Sequence, residues 1–286
     1  MKKILIIGST GMLGHQVYKH FKEKNTQYTV VDITYRSKIF EDSIILDVTK
    51  KDELDKLIRK IRPDFVVNCV GILISGSNTN IANAIYINSY LPHFIAGICS
   101  EINAKFIHIS TDCVFSGSEG QYKEDHEKDG KDNYAKTKGL GEVTYDNHLT
   151  LRTSIIGPEL KENGEGLLHW FLNQRESLKG FTKSIWSGIT TFELARFIEI
   201  AIIFDLIGLY HVTNNIPINK FDLLKLFAKY SNRKIEIEPI EGKSIDKSLI
   251  DTRQEVDYKI PSYDLMIKEM FEDIQKNKEH YKHYNV

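Results

Sequence analysis

Tyr134 and Lys138 stand four residues apart in a stretch of helical pattern, so both side chains leave one face and can enter one site. A phenol has a free pKa of about 10. A nearby ammonium stabilises phenolate and lowers that value, which makes Tyr134 a proton donor near neutral pH. Reduction of a carbonyl needs such a donor. The spacing has little specificity on its own, because Tyr230 and Lys234 repeat it where a helix ends and a charged strand, Lys234 to Glu238, begins. That second pair lies away from any phosphate-binding turn and reads as a decoy. Ser110, Thr111 and Asp112 directly follow the apolar strand Phe106 to Ile109, and a hydroxyl at that strand end can share a carbonyl oxygen with Tyr134. Each feature has a plainer reading alone: a helix-surface pair for Tyr134 and Lys138, a capped loop start for Ser110 and Thr111. Their presence together favours chemistry.

A second set of residues suits a dinucleotide. Gly8, Gly11 and Gly14 follow the first apolar strand and open a helix. Glycines there permit a tight turn and close backbone approach to a pyrophosphate, which then faces the helix N-terminus. The spacing is G-x-x-G-x-x-G, with Thr10 where the common fingerprint has its second glycine; the plainer reading is a glycine-rich strand-to-helix turn. At the end of the second strand Asp32 and Arg36 compete for the adenosine ribose. Asp32 would accept from a free 2′-hydroxyl and select NADH, whereas Arg36 would pair with a 2′-phosphate and select NADPH. Arg36, followed by Ser37 and Lys38, is the preferred reading, with NADH the alternative. Asp47, before Val48, suits either an adenine contact or a helix cap. Asn68 and Gly71 fall at the carboxyl end of another strand, where open α/β sheets bind ligands.

The elements that must position these residues are written in the apolar pattern. Ile4 to Ile7, Tyr28 to Ile33, Phe65 to Cys69, Phe106 to Ile109 and Thr150 to Thr153 alternate with helical segments. Nearly continuous apolar strands between amphipathic helices specify a doubly wound parallel sheet of the Rossmann type, covered on both faces. Leu194 to Tyr210 reads as a buried helix running into a strand, since Arg196, Glu199 and Asp205 interrupt it as a membrane span. Ser116 to Asn133, rich in Gly, Glu, Asp and Lys, reads as a long surface loop. Beyond Ile155 the rhythm loosens at Gly157, Pro158, Gly164 and Gly166, where a second, smaller mixed α/β substrate domain begins. The expected partition is 1–155 plus about 188–216 for the dinucleotide domain, and about 156–187 plus 217–286 for the substrate domain.

Composition narrows the partners. The 286 residues are 41% hydrophobic and 27% charged, enough for a full core, and 38 basic residues nearly cancel 39 acidic ones. Interspersed and balanced, these charges give no footprint for nucleic acid or a membrane surface. Cys69, Cys99 and Cys113 are widely spaced and odd in number, which argues against a disulfide framework or a zinc site and fits a reducing cytoplasm. The run Ile4 to Ile7 stops too early for a signal peptide. No metal is expected; His280 and His283 fall in a stretch read as an unstructured tail. A homodimer is allowed.

Taken together, the motifs resemble those of the extended short-chain dehydrogenase/reductases, and within them the dTDP-4-dehydrorhamnose reductase-like group, which reduces nucleotide-linked 4-keto-6-deoxy sugars. The resemblance runs nearly end to end and rests on Gly8-Ser-Thr-Gly-Met-Leu-Gly14, Asn68-Cys-Val-Gly71, Asn88 before Leu91-Pro92, Ser110-Thr-Asp-Cys-Val-Phe-Ser-Gly117, Tyr134-Ala-Lys-Thr-Lys138 and Leu151-Arg-Thr. It implies that Thr111 is the catalytic hydroxyl, Tyr134 the proton donor, and Lys138 the residue that binds the nicotinamide ribose and tunes Tyr134. It further implies a dinucleotide site of Gly8, Thr10, Gly11, Met12, Leu13, Gly14, Arg36, Asp47, Val48, Asn68, Gly71 and Ser110, with Tyr134 and Lys138. Asp112, Cys113, Val114, Phe115 and Trp186 would face the substrate, although Trp186 suits a core anchor equally well. Ile156, Gly157 and Pro158 would line the nicotinamide pocket, and Ser187, Gly188 and Thr190 belong to the substrate-side stretch.

Cys113 departs from the group, which typically has Tyr there, and so leaves the particular sugar open. It also disfavours the related dehydratases, whose Thr-Asp-Glu triplet places a proton-handling Glu at that position. The resemblance therefore implies NADPH-dependent reduction of a C4 keto group. The alternatives are a sugar-nucleotide epimerase, which keeps its nucleotide between turnovers, and a non-catalytic regulatory subunit, which need not keep Thr, Tyr and Lys together.

Overall fold

A computed structural model of the chain describes residues 1–24, 26–253 and 255–284. Its centre is a seven-stranded parallel sheet: β1 (Lys2–Ile7), β2 (Tyr28–Thr34), β3 (Ile44–Ile45), β4 (Phe65–Asn68), β5 (Lys105–Thr111), β6 (Leu149–Thr153) and β7 (Gly208–His211). The spatial order is β7-β6-β5-β4-β1-β2-β3. Alternate side chains of one strand feed opposite layers, which is why the strands read as unbroken apolar runs. Ile4 and Ile6 join the core under α1 (Gly14–Glu23) and the Thr191–Ile203 helix, while Leu5 and Ile7 join the core under the Lys51–Ile61 and Leu91–Glu101 helices. The strand order reverses between β1 and β4, so the loops after these two strands flank a crevice at their carboxyl ends.

Beyond β6 the chain makes three small sheets. Ile155–Ile156 pairs with Ile189–Thr190, Ser184–Trp186 lies between Ile218–Asn219 and Ile245–Asp246, and Leu178–Phe181 pairs with Ile237–Ile240. The helices Lys220–Tyr230 and Tyr263–Lys276 cover them. We propose the partition 1–155 plus 188–216 and 156–187 plus 217–286; the return of the chain to the large sheet through the Thr191–Ile203 helix and β7 supports it, while one hydrophobic core runs through both parts.

Three expectations need correction. The charged strand begins at Ile237, not Lys234: residues 233–236 are irregular, and the Tyr230 hydroxyl donates to Asp264 on the surface, as suits a decoy. The Ser116 to Asn133 segment is irregular but not merely superficial. Tyr122 is buried, stacks on Phe115 at 4.1 Å and bridges to Leu249, because an aromatic side chain fastens the loop to the second region. The stretch holding His280 and His283 is docked rather than loose. Tyr281 and Tyr284 are buried; Tyr281 Oη donates to His15 Nε2 at 2.8 Å and accepts from Gln16 Nε2 at 3.0 Å, and Tyr284 Oη accepts from the Glu159 N–H at 3.0 Å. Among the described residues no helix is long and apolar enough to cross a membrane, and no cluster of His, Cys, Asp and Glu forms a metal site.

Candidate active site

The glycine turn is built by close packing. Gly8 has φ +90°, its N–H donates to the Ile33 carbonyl at 2.8 Å, and Gly11 N–H donates back to the Gly8 carbonyl at 3.0 Å. A Cβ on Gly14 would sit 2.0 Å from the Gly8 carbonyl oxygen, so only glycine lets α1 start this close to β1. The first turn of α1 carries no acidic residue, which leaves its N-terminus suited to a pyrophosphate. In front of it lies a cavity of about 340 Å³, lined by Gly8, Thr10, Gly11, Tyr35, Asp47 and Gly71 among others. These features fit a dinucleotide.

The other expected cofactor residues divide. Asp32 is buried and accepts a hydrogen bond from the Ser9 hydroxyl, away from the cavity, whereas Arg36 is exposed and stacks over Tyr35, which lines it. Asp47 lines the cavity and accepts from Thr49 N–H at 2.9 Å, a local turn ahead of the Lys51–Ile61 helix and not its cap, since the N-cap position is Lys50 and no side chain caps it. Val48 also lines the cavity. Met12 is half-buried beside Gly166, and the Leu13 side chain belongs to the core. Asn68 is fully buried and does not line the cavity. Its Oδ1 accepts from Val70 N–H at 3.1 Å and its Nδ2 reaches His108 Nδ1 at 3.2 Å, so it shapes the loop that carries Gly71. The Ser110 hydroxyl donates to Glu142 Oε1 at 2.7 Å instead of pointing at a carbonyl.

Thr111 ends β5 and caps the turn Asp112–Val114, its Oγ1 accepting from Cys113 N–H at 3.1 Å. Tyr134 rises from the helix Asn133–Leu140, capped by Asp132 accepting from Ala135 N–H at 2.8 Å, and this helix packs beside the turn. Burial raises the phenol above its usual value, Cys113, Asp112 and Asp132 push the same way, and the nearby Thr111 hydroxyl opposes them. Lys138 Nζ donates to the Ile109 carbonyl at 2.7 Å and lies 3.2 Å from His108 Nε2; burial brings it down to about 8. The expected lowering of Tyr134 by Lys138 is not found: Lys138 is not among the groups that act on the phenol, and desolvation raises it. At neutral pH the phenol holds its proton and the lysine keeps most of its charge.

On the substrate side, Asp112 is buried and Cys113 half-buried, its thiol pushed up to about 12 by burial. Val114 and Phe115 are core residues with Tyr122 and Leu249, so the chain turns inward after Cys113. Trp186 is buried against Tyr263, as suits a core anchor, and the Lys220 ammonium lies 4.9 Å from its ring centre. Gly157 is pressed against Thr191, Gly188 against Ser154 and Trp186, Ser187 Oγ accepts from Leu249 N–H at 2.7 Å, and Thr190 caps a helix. These positions shape the second region. Ile156 is buried and Pro158 lies next to it.

The reading of the residues assigned no role to His108, Lys161, Lys220 and Lys247, or to Asn88, quoted only as a motif. Asn88 lies in the π-helix Ile85–Tyr90, a form of helix frequent at functional sites. Its Oδ1 accepts from Ile72 N–H at 2.8 Å and its Nδ2 donates to Thr137 Oγ1 at 3.2 Å, tying the Gly71 loop to the Tyr134 helix. Lys161 lines the cofactor cavity from the far side.

A doubly wound sheet with a glycine turn at its switch point and Thr, Tyr and Lys converging beside it defines the extended short-chain dehydrogenase/reductase class. Within it, the chain belongs to the RmlD substrate binding domain family, whose profile matches residues 1–254. It is 27% identical over 221 residues to the spore coat polysaccharide biosynthesis protein SpsK of Bacillus subtilis, covering 75% of this chain and 74% of that protein. It is 25% identical over 234 residues to a dTDP-4-dehydrorhamnose reductase of Aggregatibacter actinomycetemcomitans, covering 78% and 76%. A shorter match, 29% over 144 residues and 49% of this chain but 42% of the other, is to methionine adenosyltransferase 2 subunit beta of Xenopus laevis. Among solved structures, a hypothetical dTDP-4-dehydrorhamnose reductase from Sulfolobus tokodaii aligns with TM-score 0.78 at 25% identity over 92% of this chain and 98% of that one. A dTDP-4-dehydrorhamnose reductase of Bacillus anthracis in complex with NADP aligns with TM-score 0.81 at 22% identity over 96% and 99%.

Proposed function

We propose that the chain catalyses NADPH-dependent reduction of the C4 keto group of a nucleoside-diphosphate 4-keto-6-deoxy sugar, in deoxysugar and cell-surface polysaccharide biosynthesis. The observation that carries this reading is the convergence of Thr111, Tyr134 and Lys138 at the carboxyl end of β5. The reductase relatives support it. Gly8, Thr10, Gly11, Gly14, Asp47, Val48 and Gly71 would hold the dinucleotide, with Arg36 at its 2′-phosphate; bound NADPH supplies the hydride. Tyr134, kept protonated by burial, gives its proton to the oxygen that becomes the new hydroxyl. Thr111 hydrogen-bonds at the same place, and the Lys138 ammonium offsets the charge left on the phenol. Asp112, Cys113 and Trp186 would border the sugar.

The match to methionine adenosyltransferase 2 subunit beta favours a second reading, a non-catalytic regulatory subunit. Retention of Thr111, Tyr134 and Lys138 together argues for the enzyme. The free cysteines Cys69, Cys99 and Cys113 support a cytoplasmic location, and the exposed apolar residues Ile74, Ile81 and Ile85 are compatible with a homodimer.

The test is loss of NADPH absorbance with dTDP-, UDP- and GDP-4-keto-6-deoxy sugars, comparing wild type with Tyr134→Phe. Oxidation with one donor, abolished in a variant that still binds NADPH, is the expected result. No oxidation with any donor would move the assignment to an epimerase, recognised by tightly retained nucleotide, or to the regulatory subunit.

A further inference from the structure

The strand Ser184–Trp186 has Ile218–Asn219 on one side and Ile245–Asp246 on the other, with Ile218 opposite Trp186 and Asp246 opposite Ile185. A lysine follows each flanking strand, so Lys220 and Lys247 come from separate segments on the two sides of the Ser184–Trp186 strand. The Lys220 ammonium lies over the indole, 4.9 Å from its centre. Both lysines act electrostatically on Asp112 and on Cys113. The pair therefore faces the turn that Thr111 caps beside Tyr134.

Two other enclosed or partly enclosed lysines are paired, Lys105 with Asp205 at 2.5 Å and Lys128 with Glu142 at 3.0 Å, while buried Lys138 bonds the Ile109 carbonyl. Among the described residues neither Lys220 nor Lys247 has a carboxylate at such a distance, and burial brings Lys220 down to about 8. A cation confined without a partner beside an indole suits an anionic ligand whose apolar face meets the ring. We propose that Lys220 and Lys247, carried after the two strands that flank Ser184–Trp186, bind an oxyanion of the substrate: the diphosphate of the sugar nucleotide or a carboxylate on its sugar. This rests on the nucleotide-sugar reading above. The competing account is that the lysines only balance the charge of buried Asp112.

The test is calorimetric titration of NADPH-saturated protein with dTDP, UDP and GDP, and with the glucose and glucuronate conjugates of whichever nucleotide binds most tightly. In Lys220→Gln and Lys247→Gln the diphosphate is expected to bind about tenfold or more weakly, with recovery in Lys220→Arg and unchanged NADPH affinity. Diphosphate affinity unchanged, but with preference for the glucuronate conjugate lost, assigns the anion to the sugar carboxylate. Unchanged affinity for every ligand in the double variant, with altered unfolding midpoint, overturns the proposal in favour of charge balance. Wild type that binds none of these ligands overturns the nucleotide-sugar reading itself, which NADPH turnover checks separately.

Discussion

Two buried polar clusters share the carboxyl ends of β5 and β6, and they handle charge in opposite ways. In one, Arg152 meets Glu142 through two bonds of 2.8 Å, Ser110 and Lys128 complete the carboxylate, and His211 Nε2 accepts from Arg152 at 2.8 Å. Its charges are matched, and Glu142 is held below the usual carboxylate range: burial, which pushes it up, is outweighed by Arg152 and Lys128. In the other, Tyr134 and Lys138 have no ion-pair partner among the described residues, and burial moves each toward its neutral form. The matched cluster holds the strands together. The unmatched one keeps groups ready for a reaction.

Mutations can break this contrast. Tyr134→Phe should lower turnover by roughly 10²–10⁴-fold while leaving the urea midpoint unchanged, since only a proton donor is lost. Arg152→Met should do the reverse, costing about 3–5 kcal/mol in urea unfolding because Glu142 is left buried without its main partner. Activity lost in Arg152→Met beyond the unfolded fraction would make the matched cluster part of the site. Lys138→Met sharpens the contrast through pH. The folded value of Lys138, about 8, lies below its usual 10.5, so the unfolded chain binds more protons between these values and stability rises with pH across that window. The variant should lose that part of the slope in urea titrations at pH 8 and 10, and turn over poorly. The smallest effect is expected at the cavity mouth, where Arg36→Ala should raise the KM for NADPH about tenfold and leave that for NADH nearly unchanged.

Much of this was legible in the sequence because it depends on neighbours along the chain. The apolar runs gave each major strand to within a residue or two, and the spacing of Gly8, Gly11 and Gly14 located the turn. What was not legible depends on partners distant in sequence. Ser110 looks like a site hydroxyl until Glu142 is seen to take it, and Asp32 looks like a ribose ligand until Ser9 covers it. His108 reads as one more strand residue, though it sits between Asn68 and Lys138. Lys220 and Lys247 carry no motif; only the pairing of three short strands brings them to the two sides of the Ser184–Trp186 strand. The docking of Tyr281 depends on His15, at the other end of the chain.

That docking has a consequence for folding. Tyr281 closes over α1, the helix opened by the glycine turn, and Lys19 and Gln16 of that helix reach Asp273. The glycine turn forms between neighbours in sequence, but the cover of α1 joins residues 254 to 266 positions apart. Closing so long a loop makes this junction a late step of folding. A truncation that removes Tyr281 would therefore leave the buried His15 and Gln16 of α1 without their cover.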